Sequence, residues 1–208
     1  MTNQQIYDAL RAGGLTRAGA LGVMGNMAAE SSMKPNIAQR GMTKLTDEQY
    51  TAAADNGLID FAHDSVGYGL CQWTYSTRKA ALLQAAKKQG VSVGDAAMQV
   101  QFCLYELKTD GGALYDTLCR SDDIDLCSDM VCSQYERPAV NNFVARRNFA
   151  QKFAEECKDE PSDPHFQWQI ANIQTAMAHD GYWGTIDGHK SKIFFQKLKE
   201  YIADMEVC

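Results

Sequence analysis

The chain has 208 residues, 45% of them hydrophobic and 22% charged, with a formal net charge of −6. Those proportions describe a globular protein with one well-filled core, or a domain plus a small appendage. The acidic balance argues against a duplex nucleic-acid binder, which needs clustered Lys and Arg, and no apolar run reaches the roughly 18 residues of a membrane span. Met1 to Leu15 has no basic stretch followed by an apolar block, so no secretory leader is expected. The seven cysteines form an odd set without a CxxC pair. They read as small buried hydrophobes, with neither a disulfide framework nor a metal site expected.

Thr16 can cap a helix running to Glu30. From Thr43 to Trp73 the pattern is irregular, rich in Gly and Asp and weakly β at best. Ser76 or Thr77 starts a second helix that stops at Gly90, and Asp95 to Leu107 a third. Ser121, followed by two aspartates, is a good N-cap for a helix to about Tyr135, with Pro138 marking its end or a kink. Ala139 to Cys157 completes the helices with Phe143, Ala150 and Phe153 inward. The run KDEPSDP, Lys158 to Pro164, cannot sustain a helix or fill a core. The expected division is a mainly α domain over 1–157 with a small irregular β region, a linker over 158–164, and a small helical domain over 165–208.

Chemistry enters at the first of these helices. Gly19, Gly22 and Gly25 recur every three residues, at roughly 1 kcal/mol of helix propensity each relative to Ala. That cost makes sense where another backbone approaches closely, so this helix is expected to be central. Ala20, Val23, Met27 and Glu30 share one stripe, which sets Glu30 at a core-facing position on the last turn. Partial burial and the negative end of the helix both disfavour an ionised Glu30, as a glycosidase acid requires. From periodicity alone the plainer reading, a surface glutamate beside Lys34, stays open.

Gly67 to Trp73 reads GYGLCQW. Two glycines suggest a tight backbone, and an amide beside aromatic rings suits sugar binding through directed hydrogen bonds and stacking. Gln72, Trp73 and Tyr68 are the candidates, although an ordinary hairpin with a core Trp fits the segment as well.

Ala28 to Pro35, AAESSMKP, resembles the "E-S-x-x-x-P" segment of the lysozyme and soluble lytic transglycosylase superfamily. Gly69 to Gln72 resembles the "G-L-M-Q" that follows it there, with Cys71 in place of Met. More narrowly, Gly14-Leu15-Thr16, Gly22 to Asn26, Ala29-Glu30-Ser31, Gly67 to Trp73 with Arg78-Lys79, and Tyr135-Glu136-Arg137-Pro138 resemble the phage tail lysozyme family. This resemblance implies a goose-type lysozyme-like helical fold holding a peptidoglycan strand in a cleft. Glu30 would protonate the bond between N-acetylmuramic acid and N-acetylglucosamine, Gln72 would hold substrate, and Tyr135 would turn its hydroxyl toward the site. Glu136 and Arg137 are expected to support the fold by pairing. Asp64 is the candidate second carboxylate, with Asp60 and Asp55 as runners-up; should none reach the site, the 6-hydroxyl of muramic acid could attack instead, as in a lytic transglycosylase.

Beyond the linker, Ile173-Gln174, Gly181-Tyr182, Ile186-Asp187-Gly188 and Phe195-Gln196 resemble a helical peptidoglycan-binding repeat, shortened after Gly188. Trp168, Tyr182 and Trp183 would be its wall contacts, though a hairpin that merely packs on the first domain fits too. The implied protein is a phage endolysin, held in the host bacterial cytoplasm until release, with peptidoglycan as partner and no cofactor. Oligomeric state is left open. Two other classes are open to these residues. Cys71 beside Trp73 and His63 suggests a cysteine peptidase, but the remaining histidines fall beyond the linker. A lysozyme fold used only for binding would not need Glu30.

Overall fold

In the computed structural model, which describes residues 1–159, Thr2 and Gln5 satisfy each other's backbone donors at the start of α1 (Asn3–Ala12): Gln5 N donates to Thr2 Oγ1 and Thr2 N to Gln5 Oε1. Thr16 caps α2 (Arg17–Ser31) by accepting from Gly19 N. Thr46 and Gln49 repeat the capping box at α3 (Asp47–Asp55). Then come α4 (Ser76–Gln89), closed by Gly90 at φ 68°, and α5 (Ala96–Asp110), capped by Asp95. Short helices α6 (Ala113–Leu118) and α7 (Ile124–Met130) precede a π-helical turn over Val131–Glu136, and α8 (Phe143–Glu156) starts from an Asn142 cap.

Three expectations are corrected. Helices α1 and α3 were not foreseen, and α3 lies inside the segment expected to be irregular. What β character that region has is two isolated bridges, Ala38 with Tyr68 and Tyr68 with Trp73. The cap of α7 is Asp123, which accepts from Leu126 N, whereas Ser121 Oγ accepts from Asp123 N. The last helix begins at Phe143 rather than Ala139, because Arg137 adopts a left-handed conformation and Pro138 follows it.

Helix α2 is the axis. Every residue from Ala18 to Ala28 is buried, so it carries no polar face. It packs against α7 and α8, with α1 and α6 at its sides. The three glycines are where neighbouring backbones touch it. A Cβ on Gly19 would lie 2.1 Å from Leu118 O, one on Gly22 2.8 Å from Cys127 C, and one on Gly25 2.5 Å from Arg146 O. Glycine is thus imposed by contact with other main chains, and the crossing brings α8 beside the C-terminal turn of α2. The described residues form one unit, Met1–Asp159, which ends within the KDEPSDP run. Among them no helix is long and apolar enough to cross a membrane.

Candidate active site

Glu30 sits on the last turn of α2, its side chain 20% exposed at the edge of a cleft of about 800 Å³. The turn ends with Ser32 at φ 52°, a left-handed cap whose N–H donates to Ala28 O. Arg146 of α8, which is buried, binds the carboxylate: Nη2 donates to Glu30 Oε1 at 2.5 Å, while Nη1 donates to Asn26 Oδ1 at 2.9 Å. Asn26 Nδ2 in turn donates to the carbonyls of Gly22 and Ser128. A polar chain therefore runs through the centre of the bundle, fixing Glu30 from behind. Arg146 thus sets a positive charge against the Glu30 carboxylate, a partner absent from the sequence reading.

The opposite wall is the GYGLCQW turn. Tyr68 and Trp73 exchange backbone hydrogen bonds, which closes a tight hairpin around Gly69 at φ 77°. Gln99 supports it from beneath by accepting from Leu70 N and donating to the carbonyls of Pro35 and Val93. Gln72, at φ 43°, lines the cleft, and its Nε2 donates to the carbonyls of Gly69 and Ile37. Cys71 also lines it. Burial, with Cys103 beside it, pushes the Cys71 thiol up, away from the thiolate a nucleophile needs. His63, the one histidine among the described residues, is at the surface paired with Asp60. Among the described residues the cysteine-peptidase arrangement is therefore not assembled.

The third wall comes from the π turn. Arg137 N donates to Cys132 O, a bond reaching five residues back, and Arg137 then turns left-handed at φ 48°. This places Glu136 in the cleft with Glu30, and among the described residues these two are its only carboxylates. Burial holds the Glu136 carboxyl well above the usual carboxylate range, and the charge of Glu30 pushes it further the same way; Arg78 and Arg146 oppose this. Three of the five non-glycine residues with positive φ, Ser32, Gln72 and Arg137, line this one cleft. Strained backbone gathers where a surface must be held in one shape.

The other sequence candidates lie elsewhere. Asp64 does not line the cleft. Its Oδ1 accepts from Lys79 Nζ at 2.5 Å and from Val66 N, and its Oδ2 accepts from Tyr50 Oη. Lys79 is fully buried and donates also to Tyr50 Oη and Val66 O, so all three of its donors are used. Asp55 binds Val93 N and Ser92 Oγ. Tyr68 and Trp73 are core residues with no exposed surface. The Tyr68 hydroxyl meets Thr51 Oγ1, and Trp73 Nε1 donates to Glu106. Tyr135 is buried beneath Arg78, 4.6 Å from its ring centre, and donates to Glu106 Oε2. Trp168, Tyr182 and Trp183 lie outside the described residues.

The sequence reading gave Glu136 a pairing role and did not single out Arg146. The Tyr135-Glu136-Arg137-Pro138 motif held the signal for Glu136. Nothing local marks Arg146 among the polar positions of α8.

The family model for phage tail lysozyme matches residues 1–156. The chain belongs to the phage tail lysozyme family. Among curated proteins, none matches the chain. Family membership gives this lysozyme a cell-wall-lysing function with peptidoglycan as its substrate, and its mainly helical fold agrees. In the lysozyme, the family motif containing Glu30 and the one containing Glu136 are the two that supply carboxylates to the cleft.

Proposed function

We propose that the lysozyme is an N-acetylmuramidase that cleaves the β-1,4 bond between N-acetylmuramic acid and N-acetylglucosamine, with Glu30 as general acid. One observation supports this most directly: Glu30 and Glu136 face a single cleft of a size suited to sugar rings. Burial and the nearby charge of Glu30 favour a proton on Glu136, and that proton is available to the pair. The reaction uses the state in which the proton has passed from Glu136 to Glu30, and the acid gives it to the glycosidic oxygen as the C1–O bond breaks. Glu136, then ionised, takes a proton from the water that attacks C1, leaving a reducing muramic end. Arg146 stabilises the Glu30 carboxylate that proton donation creates. Gln72, its nitrogen engaged by two main-chain carbonyls, keeps its amide oxygen for a sugar N–H or hydroxyl.

A second outcome has its own support. Asp64 is tied to Lys79 and Tyr50, so the carboxylate first expected as the base is not available in the cleft. Should Glu136 not serve that role, the muramic 6-hydroxyl attacks and an anhydro end results. Beyond the catalytic unit, an endolysin role with wall binding through Trp168, Tyr182 and Trp183 remains part of the proposal.

Mass spectrometry of digested peptidoglycan separates these outcomes. Reducing ends that vanish in Glu30→Gln and fall steeply in Glu136→Gln are expected. Anhydro ends from wild type would replace the hydrolytic reading. Undiminished cleavage by Glu30→Gln would remove Glu30 from the chemistry.

A further inference from the structure

Beside the catalytic cleft lies a second groove of about 610 Å³, and the two share Tyr75, Arg78 and Arg137. They form a fork whose ridge carries an exposed aromatic ring, Tyr75 at 66% exposure, and an exposed guanidinium, Arg137. Arg78 is not free to bind an anion, because Glu106 holds it by two hydrogen bonds and Tyr135 lies under it. Arg137 makes no ion pair among the described residues, and neither does Asp110, which is exposed on the same second groove. The groove thus offers one unpaired cation and one unpaired anion, with Leu114 on its lining.

We propose that this second groove receives the peptide stem of peptidoglycan while the glycan occupies the cleft; the inference rests on the muramidase reading above. A linear polysaccharide needs one groove. Peptidoglycan branches at each muramic acid, where the lactyl group carries a short peptide. A substrate branched at the cleaved residue can fill two channels that meet, and Arg137 stands where these two meet. The charges agree with the ligand. Stem peptides carry free carboxylates, for which Arg137 is the partner, and an ammonium on their diamino acid, for which Asp110 is the partner.

The test compares kcat/KM of the full chain on intact glycan strands and on strands stripped of their stems by an amidase. Both substrates are given to wild type, Arg137→Ala and Asp110→Asn. Wild type is expected to prefer stem-bearing strands, and each variant to lower that preference by about two- to fivefold, the worth of an exposed charge contact. Because the readout is a ratio within one enzyme preparation, loss of folded protein cancels. Equal rates of wild type on both substrates overturn the groove assignment and leave the muramidase standing. So does a loss in the variants that is the same on both. Failure of wild type to cleave either substrate would sink the muramidase reading and this one with it.

Discussion

Arg146 grips Glu30 from a position 116 residues further along the chain, and with its other amino group it grips Asn26, one turn earlier on the same helix. One side chain therefore fixes both the carboxylate and the helix that carries it. Replacing Arg146 by Ala leaves Asn26 and Glu30 without their shared partner inside the bundle. The expected cost is about 3 kcal/mol of folding stability, the usual result of removing one member of a buried pair. Urea unfolding measures it, and a shift in midpoint below a tenth of the wild-type value would show that the contact is not structural. Arg146→Lys keeps the charge but cannot reach both partners, so it is expected to fall between the two.

Glu136 predicts a pH dependence of stability. Its folded pKa lies above the ordinary value of 4.5. In acid, both folded and unfolded chains hold the proton and the group has no effect on the pH slope. As the pH rises through the ordinary carboxylate range, the unfolded chain releases its proton first. Wild type then loses stability at up to about 1.4 kcal/mol per pH unit until the folded group also ionises. Glu136→Gln has no proton to lose. The difference in unfolding free energy between variant and wild type should therefore move in the variant's favour from about pH 4 upward. A difference that stays flat between acid and neutral pH would contradict the placement of Glu136.

Gly19→Ala is expected to cost about 2–4 kcal/mol, since its Cβ would meet a main-chain oxygen that has nowhere to go. Gly57→Ala is the control. Unlike the helical Gly19, that residue has a positive φ, and no atom lies within 4 Å of an added Cβ. It should cost only the strain of a left-handed alanine, about 1 kcal/mol. Thermal unfolding of the pair checks whether crowding or conformation dominates.

Asp64→Asn distinguishes a structural aspartate from a chemical one. It leaves Lys79 buried with a weakened set of acceptors, and a loss of about 3 kcal/mol is expected. The pH profile of cleavage by the folded fraction should keep its wild-type shape. A profile that loses its acidic limb, the limb set by a base that must be ionised, would return Asp64 to the reaction.

What could be read in advance divides along physical lines. The Gly19, Gly22 and Gly25 spacing announced a central helix, because a repeated loss of propensity needs a packing reason that the other helices then supplied. Thr16, Asp95 and Gly90 marked helix ends through chemistry that is local to each turn. The same chemistry is present at Thr2 with Gln5 and at Thr46 with Gln49, at the starts of two helices that the sequence reading does not include. Tyr68 and Trp73 illustrate the converse. Aromatic residues next to a cleft turn suit both sugar and core, and only the burial beneath them decides. Asp64 is a candidate by its place in the sequence, whereas its partner Lys79 lies 15 residues away on α4. Arg146 depends on how α8 crosses α2, a relation no single segment encodes.

The wide turn at Val131–Glu136 shifts the phase of the chain. An α-helix continued from α7 would advance each side chain by a fixed rotation, and the residue after Tyr135 would point where that rotation sends it. The extra reach of the Arg137–Cys132 bond breaks this lockstep, so Tyr135 faces Glu106 while its neighbour Glu136 faces Glu30's cleft. The packing of α7 against α2 is left as it was. Scaffold and chemistry are thereby decoupled at a single residue's worth of backbone. The aim of the second carboxylate is set by this turn, whose own inner residues Val131, Cys132 and Tyr135 stay buried in the bundle.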